Sequence, residues 1–262
     1  INEMDTYFNE IFNHKYSKDV LTLTKSIFRK TAPKWEKDVK AKAQIARDMY
    51  QEQLDTVIDL ESVSKPLQKA TFIHNPLTRF NKEPWVYYQL IKLFEKTDET
   101  FVQSPYTIPN YKMMKHIDIK TLKEKKVTLL TNSLASTPNL PAYSGYLNYR
   151  KQIVDAGVDV LELQTYDSHH SKAFVYDDNV VAIGSFNFDP RSAFLSTESM
   201  VVIHSKEVVE GFGLNIETYM DDSLRVQKDY KYNRESDVKP STLKKVLYKV
   251  TSYIIKIFEN LL

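Results

Sequence analysis

The chain has 262 residues, 42% of them hydrophobic, enough to bury one sizeable core with a smaller helical annex and too apolar for a disordered tail. Lys and Arg number 36 against 34 Asp and Glu, and a net charge of +2 gives no electrostatic argument for a nucleic-acid partner, so any basic surface must be local. Cysteine is absent, which excludes disulfides and thiolate metal sites without revealing the compartment.

The chain opens Ile1-Asn2-Glu3, with no initiator Met and no apolar signal core, and no run of about 18 apolar residues follows. The expectation is a cut N-terminal end and no secretory or spanning segment. All five glycines (Gly145, Gly157, Gly184, Gly211 and Gly213) lie in the second half, and the Gly-free, Lys/Glu/Gln-rich stretch before them favours helix. Residues 1–67 therefore read as a helical arm. Between Trp35 and Ile58 the apolar positions Val39, Ile45, Ala46, Met49, Tyr50, Leu54 and Val57 recur mostly at three- and four-residue spacing, a helix face expected to pack on the main domain.

From residue 68 short apolar strands are expected at Thr71–His74, Phe101–Ser104, Val127–Thr131 and Val158–Leu163. Helices separate them: Trp85–Lys96 after Pro84, and Tyr146–Ala156 stopped by Gly157. That alternation predicts a sandwiched α/β sheet over residues 68–235. Three more strands follow at His170–Tyr176, Val180–Ser185 and Glu198–His204, the first two joined through Asp177-Asp178-Asn179 as a hairpin. After Pro240, Leu243, Val246, Leu247, Val250, Ile254, Ile257, Phe258 and Leu261 follow helical spacing while Lys244, Lys245, Lys249 and Lys256 populate the other side. Residues 236–262 thus predict an amphipathic helix, either lying on a membrane surface through 241–262 or docked on the core.

The chemistry concentrates on the hairpin. In a strand, His170 and Lys172 project from one face together with Phe174 and Tyr176. An imidazole beside a fixed ammonium suits attack on a phosphodiester: the neutral ring is a nucleophile or proton carrier, and the cation stabilises charge on the non-bridging oxygens. The return strand ends in Gly184-Ser185-Phe186-Asn187, where glycine allows close backbone approach and the Ser185 hydroxyl and Asn187 amide are candidate phosphate donors.

His170-x-Lys172 with Asp177 five positions later, then Gly184-Ser185-x-Asn187, resembles the signature of the phospholipase D superfamily. The segments Ser104-Pro105-Tyr106-x-Ile108-Pro109, Leu130 to Thr137, Gly145-Tyr146-x-x-Tyr149-Arg150-Lys151, Ala156-Gly157-Val158 and Phe188-Asp189-Pro190-Arg191-Ser192 are similar to bacterial cardiolipin synthases. The resemblance covers about residues 68 to 225, and the arm before it is similar to the stretch that links two catalytic repeats in such enzymes. It implies a phospholipase D-like sandwich, phosphatidyl transfer from a phospholipid substrate, and peripheral association with a bacterial inner membrane. His170 would be the nucleophile that becomes phosphohistidine or the general acid for the leaving alcohol, and Lys172 and Asn187 would bind phosphate oxygens. Glu198, eleven residues after Asn187, would hold the catalytic imidazole, the orienting logic of a protease triad. No metal or cofactor is implied, and the sequence offers no compact ligand cluster of its own.

Plainer roles stand beside these. Asp177 suits a hairpin turn for local hydrogen-bonding reasons, Glu198 could be a surface strand residue, and His169, His14, His74, His116 and His204 lack comparable company. The alternatives in function are a phospholipase D-type nuclease, which should carry a basic groove with stacking aromatics, and a non-catalytic pseudoenzyme, against which the intact His/Lys/Asn set argues. Two-step transfer needs one group on phosphorus and another on the leaving oxygen, and one motif is present. His204-Ser205-Lys206 repeats the spacing, but no Asp lies five residues beyond and no Gly-Ser-x-Asn follows. The second half-site is expected from a missing N-terminal repeat, with a C2 homodimer as the other solution.

Overall fold

The computed structural model describes residues 2–18, 32–57, 59–78 and 82–262, which divide into two units, 1–64 and 65–262. The first unit is helical: α1 (Asn2–Phe12), α2 (Ala32–Asp55) and the short α3 (Leu60–Val63), whose N-cap Asp59 accepts hydrogen bonds from the Glu61 and Ser62 amides. α2 breaks at Tyr50, where φ is −116° and ψ is 17°. Along α2, Val39, Ile45, Met49 and Tyr50 are exposed, between 44% and 66%. Helical spacing records that one side is apolar and does not say what lies against it. Ile58 and the side chains of Trp35 and Leu54 fall outside the described residues.

The second unit is built on one eight-stranded sheet: β1 (Lys69–His74), β2 (Glu99–Gln103), β3 (Lys126–Asn132), β4 (Asp159–Leu163), β5 (Ala173–Tyr176), β6 (Val180–Gly184), β7 (Ser199–His204) and β8 (Ser223–Arg225). Its order is β1-β7-β6-β5-β2-β3-β4-β8. β2, β3 and β4 are parallel, and the other neighbours are antiparallel, so the sheet is mixed. The parallel strands are connected by helices: α4 (Trp85–Glu95) precedes β2, α5 (Tyr111–Met114) and α6 (Ile119–Glu124) lie between β2 and β3, and α7 (Leu140–Asp155) joins β3 to β4. α7 starts earlier than its apolar spacing indicated because Asn139 caps it, its side chain accepting from the Ala142 amide, with Pro141 in the first turn. It ends before Gly157, which sits at φ +91°, a left-handed conformation that favours glycine.

Both faces of the sheet are covered. Phe174 and Tyr176 enter a cluster with Val86, Tyr87, Leu90 and Phe94 of α4. On the opposite face Val175 and Val181 meet Ile216 of α9 (Lys206–Asp221). Alternation along the β5–β6 hairpin thus sends successive side chains into two different cores. β8, three residues long at the sheet edge, has too short a pattern to be read from sequence.

After α8 (Pro190–Phe194) and α9, the last long helix is α10 (Thr242–Phe258), followed by a 3₁₀ turn (Glu259–Leu261). α10 belongs to the second unit and docks on α7 through the buried Tyr248 ring, 5.8 Å from that of Tyr143, and a set of polar contacts around it. Ser144 donates to the Tyr248 carbonyl at 3.1 Å, Asn148 to the Ser252 carbonyl at 2.9 Å, and Lys244 to the Ala135 and Thr137 carbonyls at 3.3 and 2.9 Å. Its apolar side faces outward, with exposures from 49% at Leu247 to 79% at Leu243. Among the described residues no helix is long and apolar enough to cross a membrane.

Candidate active site

The ends of β2, β3, β4 and β6 and the starts of β5 and β7 meet along one edge of the sheet, because β5 runs against β2 with Gln103 opposite Ala173, and Gly184 lies opposite Met200. Crevices beyond the carboxyl ends of parallel strands are where open α/β sheets bind ligands. His170 and Lys172 stand just ahead of β5, and the Lys172 carbonyl continues the ladder by accepting from the Gly184 amide at 3.2 Å.

Lys172 is buried, and its Nζ lies 3.0 Å from Nδ1 of His170 and 2.6 Å from the His170 carbonyl oxygen. Burial lowers the Lys172 pKa from 10.5 to about 8 in spite of the nearby Glu198 and Asp189 carboxylates, which pull it upward. His170 is exposed, and partial desolvation together with the Lys172 charge holds its pKa below the ordinary 6.5. The ring is therefore neutral near pH 7, as a nucleophile needs to be. The edge of Tyr106 meets it, with ring centroids 6.1 Å apart at 72°.

The peptide preceding His170 is clamped. Asn132, at the end of β3, donates Nδ2 to the His169 carbonyl and accepts the His169 amide on Oδ1, both at 3.1 Å. Ser136 supports Asn132 from behind and donates to the Leu163 carbonyl at 3.2 Å. His169 itself is buried without a hydrogen-bond partner on either ring nitrogen among the described residues, and it packs its ring against Tyr219. Burial, with Lys172 and His170 adding to it, lowers its pKa to about 4.

The loop after β6 forms the opposite wall. A Cβ on Gly184 would come within 2.2 Å of the Ser199 carbonyl oxygen, so the close approach that requires glycine is to strand β7 rather than to a ligand. The Ser185 hydroxyl donates to Glu198 and accepts from the Ser199 amide at 3.1 Å, which places it in the scaffold of the site. Asn187 is half-buried; its backbone N–H donates to the Ser192 hydroxyl at 3.2 Å, and its Oδ1 is buried without a partner among the described residues. A ligand or water would relieve that desolvated group. Asp189 caps α8 by accepting from the Ser192 amide at 2.7 Å, and burial raises its pKa from 3.8 to about 6.

The structure brings His170, Lys172 and Asn187 to one edge and separates the roles of the two acids. Glu198 engages the Ser185 and Ser192 hydroxyls, and the partner of His170 Nδ1 is Lys172. The Glu198 charge acts on Lys172 and on Lys82, a second buried lysine that sequence reading passed over. Asp177 lies at the far end of β5, at φ 49°, and its Oδ1 accepts from the Asp98 and Glu99 amides at 3.0 and 2.9 Å. It fastens the hairpin turn to the start of β2, well away from the His170 ring. Asn132 and Tyr106 stood inside family-like segments, but no spacing rule marks a residue that acts through a backbone bond, as Asn132 does, or through a ring contact, as Tyr106 does. Among the described residues no group of three or more His, Asp or Glu is placed to hold a metal ion.

The model of the cardiolipin synthase, phospholipase D-like domain matches residues 90–219. An uncharacterised protein of Helicobacter pylori is 36% identical over 155 residues, covering 52% of this chain and 31% of that protein. Cardiolipin synthase C of Escherichia coli is 34% identical over 124 residues, covering 41% of this chain and 26% of that protein. The chain thus spans about a third or less of the length of these relatives. In fold it is similar to a phosphatidylserine synthase of Haemophilus influenzae, with a TM-score of 0.54 at 17% identity, over 74% of this chain and 48% of that one. With the matched domain running through the edge that carries His170, Lys172 and Asn187, the chain belongs to the phospholipase D superfamily and is cardiolipin synthase-like.

Proposed function

We propose that this chain supplies one half of a phosphatidyl-transfer site in which His170 becomes covalently phosphorylated. The observation that carries the reading is the pairing of a neutral, exposed imidazole with a buried lysine 3.0 Å away. Without substrate the Lys172 ammonium donates to Nδ1 and the ring proton sits on Nε2. When Nζ moves to a phosphate oxygen, Nδ1 is free to carry the proton and the Nε2 lone pair is released for phosphorus. The P–N bond forms as the bond from phosphorus to the leaving oxygen breaks, and that oxygen takes a proton from an acid in the second half-site. A second lipid or glycerol hydroxyl then attacks phosphorus, returns its proton to that group, and the P–N bond breaks.

The outward side of α10 supports a lipid substrate held at a membrane surface. At about 100° per residue, Leu243, Val246, Val250, Tyr253, Ile254 and Ile257 form one exposed face, and Lys249, Lys256 and Lys245 follow it on one side. An apolar stripe with a basic border suits the headgroup region of an anionic bilayer, with the protein peripheral on a bacterial inner membrane. The second half-site comes from another phospholipase D-like repeat.

The test is a turnover assay read by mass spectrometry on the chain supplied with a second phospholipase D-like repeat, offering phosphatidylglycerol in anionic vesicles and, separately, single- and double-stranded DNA. Transfer of a phosphatidyl group to glycerol or to a second lipid is expected. Cleavage of DNA with no lipid conversion would overturn the reading in favour of a nuclease.

A further inference from the structure

On the sheet face covered by α4 to α7, the cluster around Tyr87 and Phe174 and the cluster around Tyr146 and Val160 do not close on each other, and a cleft of about 440 Å³ separates them. Val102, on the fifth strand of an eight-stranded sheet, is only half-buried as a result. Its walls are hydrocarbon: Val102, Leu129, Ile153, Val158 and Phe188. Charged and amide groups stand at the mouth, where Lys123, Gln152 and Asp155 are exposed on α6 and α7. Pockets of about 300–1,000 Å³ suit small ligands, and ligands with polar substituents are oriented by polar groups inside. A lining of this kind has little with which to orient them and suits an unfunctionalised chain, whose burial contributes roughly 25 cal/mol per Å².

The inner end of the cleft adjoins the phosphate site. Phe188 lines the cleft and directly follows Asn187; Thr107 lines it and directly follows Tyr106, whose ring meets His170. Thr107 and Phe188 are bridged to each other. On one wall the cleft residue Phe188 is therefore the chain neighbour of Asn187, and on the other Tyr106 alone stands between Thr107 and the imidazole. We infer that the cleft receives one acyl chain of a phospholipid whose phosphate lies between His170 and Asn187. The position of the phosphate rests on the function proposed above; the apolar cleft does not. The Asn110 side chain, next to Pro109 of the cleft lining, donates to Asn260 at 3.0 Å and ties this wall to the end of the C-terminal helix.

The experiment uses phosphatidylglycerol carrying a diazirine near the end of one acyl chain, photolysed with the full chain in mixed micelles and mapped by peptide mass spectrometry. Label is expected on cleft residues, competed by long-chain phosphatidylglycerol and not by its dibutyryl form. Ile119→Glu places a carboxylate at the mouth, where Ile119 is 42% exposed and the fold does not depend on it, and Ala156→Phe fills the cleft from the end of α7. Each should lower labelling about tenfold, equivalent to about 1.4 kcal/mol. Unchanged labelling in both variants, or label confined to the outer side of α10, would overturn the inference. So would equal protection by free oleate, since the site would then hold fatty acid without reference to the phosphodiester. Labelled cleft residues in a protein that never phosphorylates His170 would leave the acyl site standing and remove the phosphodiester reading, and phosphorylated His170 with label elsewhere would do the opposite.

Discussion

Asn132 and His169 exchange a pair of hydrogen bonds, side-chain amide to peptide, each 3.1 Å long. The side chain thereby does the work of a further strand at the point where the chain leaves the sheet, and it fixes the backbone from which the His170 ring projects. Removing it leaves a buried N–H and C=O unpaired, a cost of about 1–3 kcal/mol. Asn132→Ala should lower turnover by about two orders of magnitude, since displacement of a reacting group by about 1 Å has that effect. Asn132→Asp keeps the acceptor for the His169 amide and should lose less. Equal kcat in all three proteins would remove Asn132 from the positioning of His170.

His170→Ala should abolish turnover, because no neighbouring side chain can form the phosphoryl bond in its place. Lys172→Met should leave a slow enzyme that still forms the intermediate. Quenching with alkali during turnover should trap label on His170 as a base-stable, acid-labile adduct. Chelators should leave the rate unchanged. Loss on chelation, restored by a divalent ion, would point to metal-assisted hydrolysis instead.

Two pH dependences follow from the buried groups. For turnover, His170 must be neutral and Lys172 charged. Activity should therefore fall on the acid side below pH 6.5, the ordinary histidine value, and on the alkaline side near the Lys172 pKa of about 8. For stability, His169 has its proton affinity depressed by burial to about 4 from 6.5, so its contribution is present above pH 6.5 and is lost as pH falls through about 4. His169→Phe keeps a ring against Tyr219 and should withstand pH 4 better by about 2–3 kcal/mol, measured as the difference in urea unfolding between pH 7 and pH 4. Identical acid sensitivity in the two proteins would refute this.

The sequence signals that succeeded were those a side chain carries by itself. Alternation of apolar residues located seven of the eight strands, and Gly157 marked the end of α7, because periodicity and positive φ are local properties. What stayed hidden depends on a partner. The reason for glycine at 184 is the Ser199 carbonyl on another strand, the partners of Glu198 are Ser185 and Ser192, and Asn132 acts through a peptide 37 positions away. The C-terminal helix is the clearest case. Its apolar stripe was legible, yet it docks through the other side, where the Tyr248 ring packs on Tyr143 and Lys244 and the Tyr248 and Ser252 carbonyls make hydrogen bonds that no hydrophobic pattern marks.

That inversion gives a membrane prediction free of folding artefacts. Leu243, Val250 and Ile257 are exposed by 79%, 54% and 77%, so replacing all three with Ser removes little packing from α7. The triple variant should lose most of its sedimentation with anionic vesicles. Lys245→Glu with Lys249→Glu should weaken binding at low salt and leave binding to neutral vesicles unaffected. If the triple variant binds anionic vesicles as well as the parent, α10 is not the membrane surface.

The last prediction concerns the number of half-sites. In-line transfer needs a nucleophile on one side of phosphorus and an acid at the leaving oxygen on the other, and a single imidazole cannot occupy both places at once. His169, the neighbouring histidine, is buried with its peptide clamped by Asn132, and His204 ends β7 opposite Lys69 and Val180 within the sheet. Neither can turn to face His170. The 262-residue chain as a strict monomer should therefore accept a phosphoryl group slowly at best and turn over negligibly. Supplying a second phospholipase D-like repeat, covalently or in trans, should restore turnover. In a C2 homodimer the two copies of His170 would meet across an isologous interface, and specific activity would rise with concentration in step with the dimer fraction measured by sedimentation. Full activity at concentrations where sedimentation detects monomer alone would refute the half-site argument, whichever partner supplies the second group.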